Sequence, residues 1–165
     1  MTEIAMAPAA GLTHAAIVER ALDVNGLVQM VADPGAGASS VFLGTVRHAN
    51  DGRPVVGIDY QAYGAMATRE LNAIVDEAAQ RFGTRAIGVE HRVGYLAVGD
   101  ISIAIAASHE RRGPAQDATR YVIEQVKRRL PVWKREHYTD GTREWVDPTR
   151  TANHSADVGE LRADA

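Results

Sequence analysis

The sequence contains no cysteine. Disulfides, thiolate metal sites, iron-sulfur clusters and a cysteine nucleophile of the chain's own are thereby excluded, so any sulfur chemistry needs sulfur brought from elsewhere. Long apolar runs are missing too, none approaching the ~18 residues of a membrane-spanning helix. The first twelve residues hold Glu3 but no Lys or Arg, unlike a secretory or mitochondrial leader. These absences read as a soluble, cytoplasmic protein. Lysine is scarce as well: of 18 basic residues all but Lys127 and Lys134 are arginine. Arginine replaces lysine readily where only a positive charge is needed. It does not replace lysine where a compact amine must act as nucleophile or base, because guanidinium stays charged.

What is present fits one compact domain: 165 residues, 45% hydrophobic and 24% charged. The formal net charge is -3, yet residues 111–135 hold eight basic side chains against only Asp117 and Glu124. A basic stretch on an acidic chain suggests an anionic ligand or an acidic partner. The plainer reading is a solvated helix face, with Glu124 and Arg128 at the i,i+4 spacing of an ion pair. Nucleic acid is disfavoured, because the chain is acidic overall and Tyr121 and Trp133 are the only aromatics in that stretch.

Residues 1–12 are Ala-rich and aperiodic and read as a mobile leader, and the small, polar residues 147–165 read as a mobile tail. Between them lies a single domain over residues 13–146. Residues 13–22 fit a strand or a short helix, and Asp23 offers an N-cap for a helix over residues 26–32. The Gly35-Ala36-Gly37-Ala38 run lacks the ending of a phosphate loop. Residues 39–47 (SSVFLGTVR) carry apolar residues on both faces, as a central strand does, and residues 55–63 read as its hairpin partner, with Val56, Ile58, Tyr60 and Ala62 on one face. Ala67, Leu71, Ile74, Val75, Ala78 and Phe82 form one helical stripe ending at Gly83. Residues 87–95 and the alternating Ile101, Ile103 and Ile105 give a second antiparallel pair. Pro114 opens a helix burying Ala115, Ala118, Val122 and Val126, and Pro131 ends it. Residues 132–138 (VWKREHY) read as the last strand, Asp140-Gly141 as a turn and Trp145 as an anchor. Paired strands with interspersed helices argue for an α+β domain with a mainly antiparallel sheet.

Lys127 near the end of the basic helix and Lys134 just beyond Pro131 are placed to face one pocket. Arg120 lies two turns before Lys127, and Arg111 and Arg112 sit where the chain enters the helix, a position favouring anions. No histidine pair has metal-ligand spacing, so no metal site is expected, and nothing calls for a bound cofactor. His91 shares a face with Ile87, Val89 and Val93 and reads as a satisfied structural histidine, with Arg92 paired to Glu90. His109, ending its strand at a charged loop, is the better candidate for proton transfer.

The segments GASSVFLGTVR, HRVGYLAVGD and VKRRLPVWKRE, in this order and spacing, resemble the large catalytic subunit of molybdopterin synthase, over roughly Ala36 to Trp145. The most specific part is PVWKRE, with a second lysine seven residues before its own. The resemblance implies an α/β-hammerhead-like fold and an enzyme that adds two sulfurs to cyclic pyranopterin monophosphate. The sulfur would arrive as a thiocarboxylate on the C-terminal glycine of a small ubiquitin-like subunit, which suits a chain without cysteine. It implies a central homodimer with a small subunit at each end, and molybdenum insertion only later. By motif, Lys127 and Lys134 match the family's active-site lysines, Arg47 the arginine closing the GTVR segment, and Phe42 an apolar residue near the pocket. Arg47 and Arg112 would hold phosphate or the tail carboxylate. Three positions depart from the family's pattern. Arg111-Arg112 stand where a His-Arg pair is usual, with His109 two residues earlier; Gln116 replaces an aromatic and Gln61 a glutamate. Two other readings stay open: a noncatalytic module binding an anion or acidic partner through the basic stretch, and a paralogue that pairs with the large subunit without turning over.

Overall fold

The computed structural model describes residues 11–146, so most of the expected leader and the whole expected tail lie outside the described residues. The first sheet has the order β1-β5-β7-β2, built from β1 (Leu12–Val18), β5 (Ala86–Arg92), β7 (Ile101–His109) and β2 (Ala38–Thr45). Its β1–β5 pair is parallel and the others antiparallel. Two helices, α2 (Gly64–Phe82) and α3 (Arg112–Arg129), cover one face, and the short α1 (Val24–Met30) packs on the other against β5 and β7. In the second sheet the long β4 (Arg53–Ala62) pairs with β3 (Ala49–Asn50), β6 (Gly94–Ala97) and β8 (Val132–Tyr138), and β8 in turn with β9 (Arg143–Val146). The domain is α+β and mostly antiparallel.

Local chemistry accounts for the helix limits. The Asp23 side chain accepts from the backbone N–H of Gly26 at 2.9 Å and caps α1. Gly83 closes α2 with φ 61°, a left-handed turn that glycine adopts at no steric cost. Leu130, which precedes Pro131, is forced out of the helical region (ψ 122°) and ends α3. Between helices and sheet lies the main core, in which Leu71, Ile74, Ile87, Ile105, Ala118 and Val122 are fully buried.

Several sequence expectations are corrected. The segment around Phe42 is an edge strand, not a central one, and its exposure alternates, leaving Val41 and Leu43 about two-fifths exposed. Nor is it the hairpin partner of the next strand. The Asp51-Gly52 turn, with φ of 47° and 76°, closes the smaller β3–β4 hairpin instead, and β4 passes into the second sheet. A register shift between Val55 and Gly57 buries Val55 and turns Val56 outward, so Val56 leaves the face of Ile58. The strand expected over residues 87–95 is two, because the chain changes sheets at Val93-Gly94, where Gly94 has φ 92°. Glu90 pairs with Arg20 (2.9 Å) and His14 (3.2 Å), which parallel β1 and the chain just beyond it bring alongside, while Arg92 reaches Asp100 (3.5 Å). β8 is followed by β9, and Trp145 is 53% exposed with Arg135 over its ring rather than anchored in the core.

Candidate active site

A cavity of about 260 Å³ opens where the two sheets meet the C-terminal half of α3. Phe42, Gly44 and Thr45 of β2, Tyr60 of β4, His91 of β5 and Ser102 and Ile103 of β7 form its walls, with Ile123, Val126 and Lys127 of α3, and Leu130, Val132 and Lys134 closing it. The reason both lysines reach one space is the break at Pro131. The last turn of α3 delivers Lys127, the chain reverses, and β8 returns antiparallel to β4 with Lys134 opposite Tyr60. Alternation along β8 then directs Val132, Lys134 and Glu136 to one face and Trp133, Arg135 and His137 to the other. Gly44 permits the close approach of β2 and β7: a Cβ there would stand 2.7 Å from Ile103 Cγ2.

Lys134 is held by a buried acid. Its Nζ lies 3.2 Å from Oε1 of Glu136, a residue only 1% exposed. Asn50 Nδ2 donates to both Glu136 oxygens (3.1 and 3.0 Å), and the Tyr138 hydroxyl donates to Oε2 at 2.9 Å. Burial alone would raise the Glu136 carboxyl, but these donors together with the Lys134 ammonium outweigh it and hold the group below the usual carboxylate range. Arg47, exposed just beyond β2, donates to Asn50 Oδ1 at 3.4 Å and so touches the same network. Lys127 is exposed at the mouth, with no carboxylate within ion-pair distance among the described residues.

The neutral side of the cavity is made by Tyr60 and His91, whose rings meet edge to face at 5.4 Å. Burial pushes the Tyr60 phenol up, the Ser102 hydroxyl offsetting part of this. Burial pushes the His91 imidazole down to about 4, with its bond to the Arg92 carbonyl opposing only in part. His91 is buried, as its sequence context suggested, and it also faces the cavity.

Of the residues singled out from sequence, Lys127, Lys134 and Phe42 come together here. Arg47 lies beside the network that holds Lys134, whereas His109, Arg111, Arg112 and Arg120 do not line the cavity. His109 Nδ1 accepts the backbone N–H of Arg111 at 2.9 Å, which shapes the loop leading into α3, and Arg111 is the N-cap of that helix. The basic stretch is divided in its roles: Arg129 is spent on α2, bonding Glu70 (2.5 Å) and Glu77 (2.6 Å), while the expected Glu124–Arg128 pair does not form. Sequence reasoning missed Glu136, Asn50, Tyr60 and Ser102. For Glu136 a signal existed: two residues beyond Lys134 in a strand, it had to share that lysine's face.

Comparison with known proteins agrees with this fold. A family model described as MoaE protein matches residues 17–129. The molybdopterin synthase catalytic subunit of Oryza sativa subsp. indica is 44% identical over 140 residues, covering 82% of this chain and 72% of the relative. The crystal structure of molybdopterin synthase from Staphylococcus aureus superposes with a TM-score of 0.75 at 32% identity, covering 79% of this chain and 95% of that one. A Helicobacter pylori structure, a complex of subunits 1 and 2 of molybdopterin-converting factor, shares the fold with a TM-score of 0.66 at 22% identity, covering 81% and 90%. The chain therefore belongs to the MoaE family, the catalytic subunits of molybdopterin synthase, which work in the biosynthesis of the molybdenum cofactor.

Proposed function

We propose that this chain transfers sulfur from the C-terminal thiocarboxylate of a small ubiquitin-like subunit to cyclic pyranopterin monophosphate, forming the dithiolene of molybdopterin. The observation that carries the reading is that the chain's only two lysines line one cavity, one at its mouth with no acid partner among the described residues and one fixed by a buried carboxylate. Lys127 activates the substrate or contacts it covalently. Lys134, held in place by Glu136, stabilises negative charge and positions the anion. Phe42 packs against the bound ligand, and Arg47 holds phosphate or the carrier's tail carboxylate at the rim. His109, Arg111 and Arg112, away from this cavity, contribute to substrate binding only if the loop before α3 or a second copy brings them near. The assembly is a homodimer with one small subunit at each end, acting in the cytoplasm. Exposed Val41, Leu43, Trp133 and Trp145 are apolar surface available to those partners. No helix among the described residues is long and apolar enough to cross a membrane.

The test is reconstitution of the chain with the pyranopterin precursor and a thiocarboxylated small subunit. Molybdopterin formation supports the proposal. A folded chain that binds both components and makes no product is instead the non-transferring paralogue.

A further inference from the structure

The two lysines account for the negative charge of a ligand in this cavity but leave its neutral wall without a role. His91 stands in that wall, 6% exposed, with Nδ1 2.9 Å from the carbonyl oxygen of Arg92. A carbonyl oxygen only accepts, so Nδ1 carries the ring proton and Nε2 carries the lone pair. No described residue hydrogen-bonds Nε2, and it is not among the buried, unpartnered side-chain atoms of the described residues. Its open side is therefore the cavity that the ring lines. The Tyr60 ring, packed edge to face on the imidazole, and the backbone bond at Nδ1 together fix the ring's plane. An acceptor of fixed direction that opens only on a ligand cavity discriminates strongly, because a ligand that fills the cavity without the matching donor leaves it unpaired and dry.

We propose that His91 is a specificity residue of this cavity, its Nε2 accepting a hydrogen bond from an N–H or O–H donor of the heterocycle while the lysines take the anionic end. The inference rests on the proposed function in that a pyranopterin supplies both the ring donors and the phosphate. The site is thus two-ended: cationic at Lys127 and Lys134, neutral and accepting at His91. Burial, which disfavours the imidazolium, keeps the acceptor in being at neutral pH.

The experiment titrates cyclic pyranopterin monophosphate, and separately inorganic phosphate, into the full chain and its variants by calorimetry, with turnover measured in parallel in the reconstituted complex. His91→Asn keeps a donor for the Arg92 carbonyl and removes the Nε2 acceptor; His91→Gln places an amide oxygen near the Nε2 position. The expected result is precursor binding about tenfold weaker in H91N, corresponding to about 1.4 kcal/mol, with inorganic phosphate binding unchanged. H91Q should recover affinity to within about threefold of wild type. Equal precursor affinity in folded H91N and wild type overturns the inference, as does an H91Q variant that binds no better than H91N. If the wild-type chain binds precursor with this dependence on His91 but forms no product, the inference stands and the sulfur-transfer reading falls. Absence of precursor binding by the wild-type chain removes the inference.

Discussion

At the scale of single residues, the cavity sets two amines in different surroundings. Lys127 stands at the negative end of the α3 dipole, at the mouth and without an acid partner among the described residues, whereas Lys134 is tied to a carboxylate that is itself fully engaged. A role that needs a compact amine does not survive replacement by guanidinium even though the charge does. Lys127→Arg is accordingly expected to fold as the wild type does and to abolish molybdopterin formation, measured in the reconstituted complex; full activity in that variant would remove Lys127 from the reaction. Glu136→Gln is predicted to act through Lys134. The amide keeps the shape but loses the charge, and its NH₂ group competes with Asn50, Tyr138 and Lys134, all of which are donors. We expect stability to fall by about 2 kcal/mol in urea unfolding and turnover by about tenfold, since a buried charge-assisted network is broken. A Glu136→Gln enzyme with unchanged kcat and KM would show that the acid serves the fold alone.

Among the elements, α3 does two jobs along its length. Its last turn carries Lys127 to the cavity and, two residues on, Arg129 to Glu70 and Glu77 of α2, with Tyr121 also donating to Glu77 at 3.0 Å. The Arg129 guanidinium holds the Glu77 carboxyl below its ordinary range. Because these groups are a third to two-fifths exposed, water screens the clamp. Arg129→Met should therefore cost only about 1 kcal/mol in urea unfolding, and should leave phosphate binding in the cavity untouched. The helices and β8 were legible in the sequence because their signals are local: an apolar stripe closed by Gly83, a basic helix stopped at Pro131, and alternation through VWKREHY. The partners of β2 and β4 were not, since strand pairing is decided by which distant segments share a core. The Asp51-Gly52 turn announces a hairpin without saying how long its arms are. That Lys127 and Lys134 share one cavity was legible from the Pro131 break between them, and that Phe42 lies near it from the family resemblance. Glu136 was legible only as a residue on the Lys134 face of β8, whereas Asn50, Tyr60 and the place of His91 in the cavity wall were not, because they depend on β3, β4 and β5 meeting β8 at one junction.

For the molecule as a whole, that junction makes stability depend on pH with a predictable sign. His91 is neutral in the folded chain, its pKa lowered by burial from an ordinary 6.5 to about 4. Below about pH 6.5 the unfolded chain takes up a proton that the folded chain does not, so stability declines as pH falls toward about 4, where the folded site titrates and this loss ends. A shift of that size amounts to about 3 kcal/mol across the window. Asp59, whose own burial is outweighed by bonds from Arg135 and His137, and Glu136 are held below the ordinary carboxylate range. Their contributions are present above the unfolded carboxylate pKa and disappear at lower pH, as the folded carboxylates protonate, so acid unfolding continues below the pH at which His91 itself has titrated. Urea unfolding of wild type and His91→Asn across this range separates the two. The wild-type free energy should fall through the window between about 6.5 and 4, whereas the difference between wild type and variant should shrink over the same interval and then stay constant. A difference that does not change with pH would mean that the folded imidazole binds its proton as readily as the unfolded one. The cavity wall at His91 would then be charged in mildly acid solution rather than neutral.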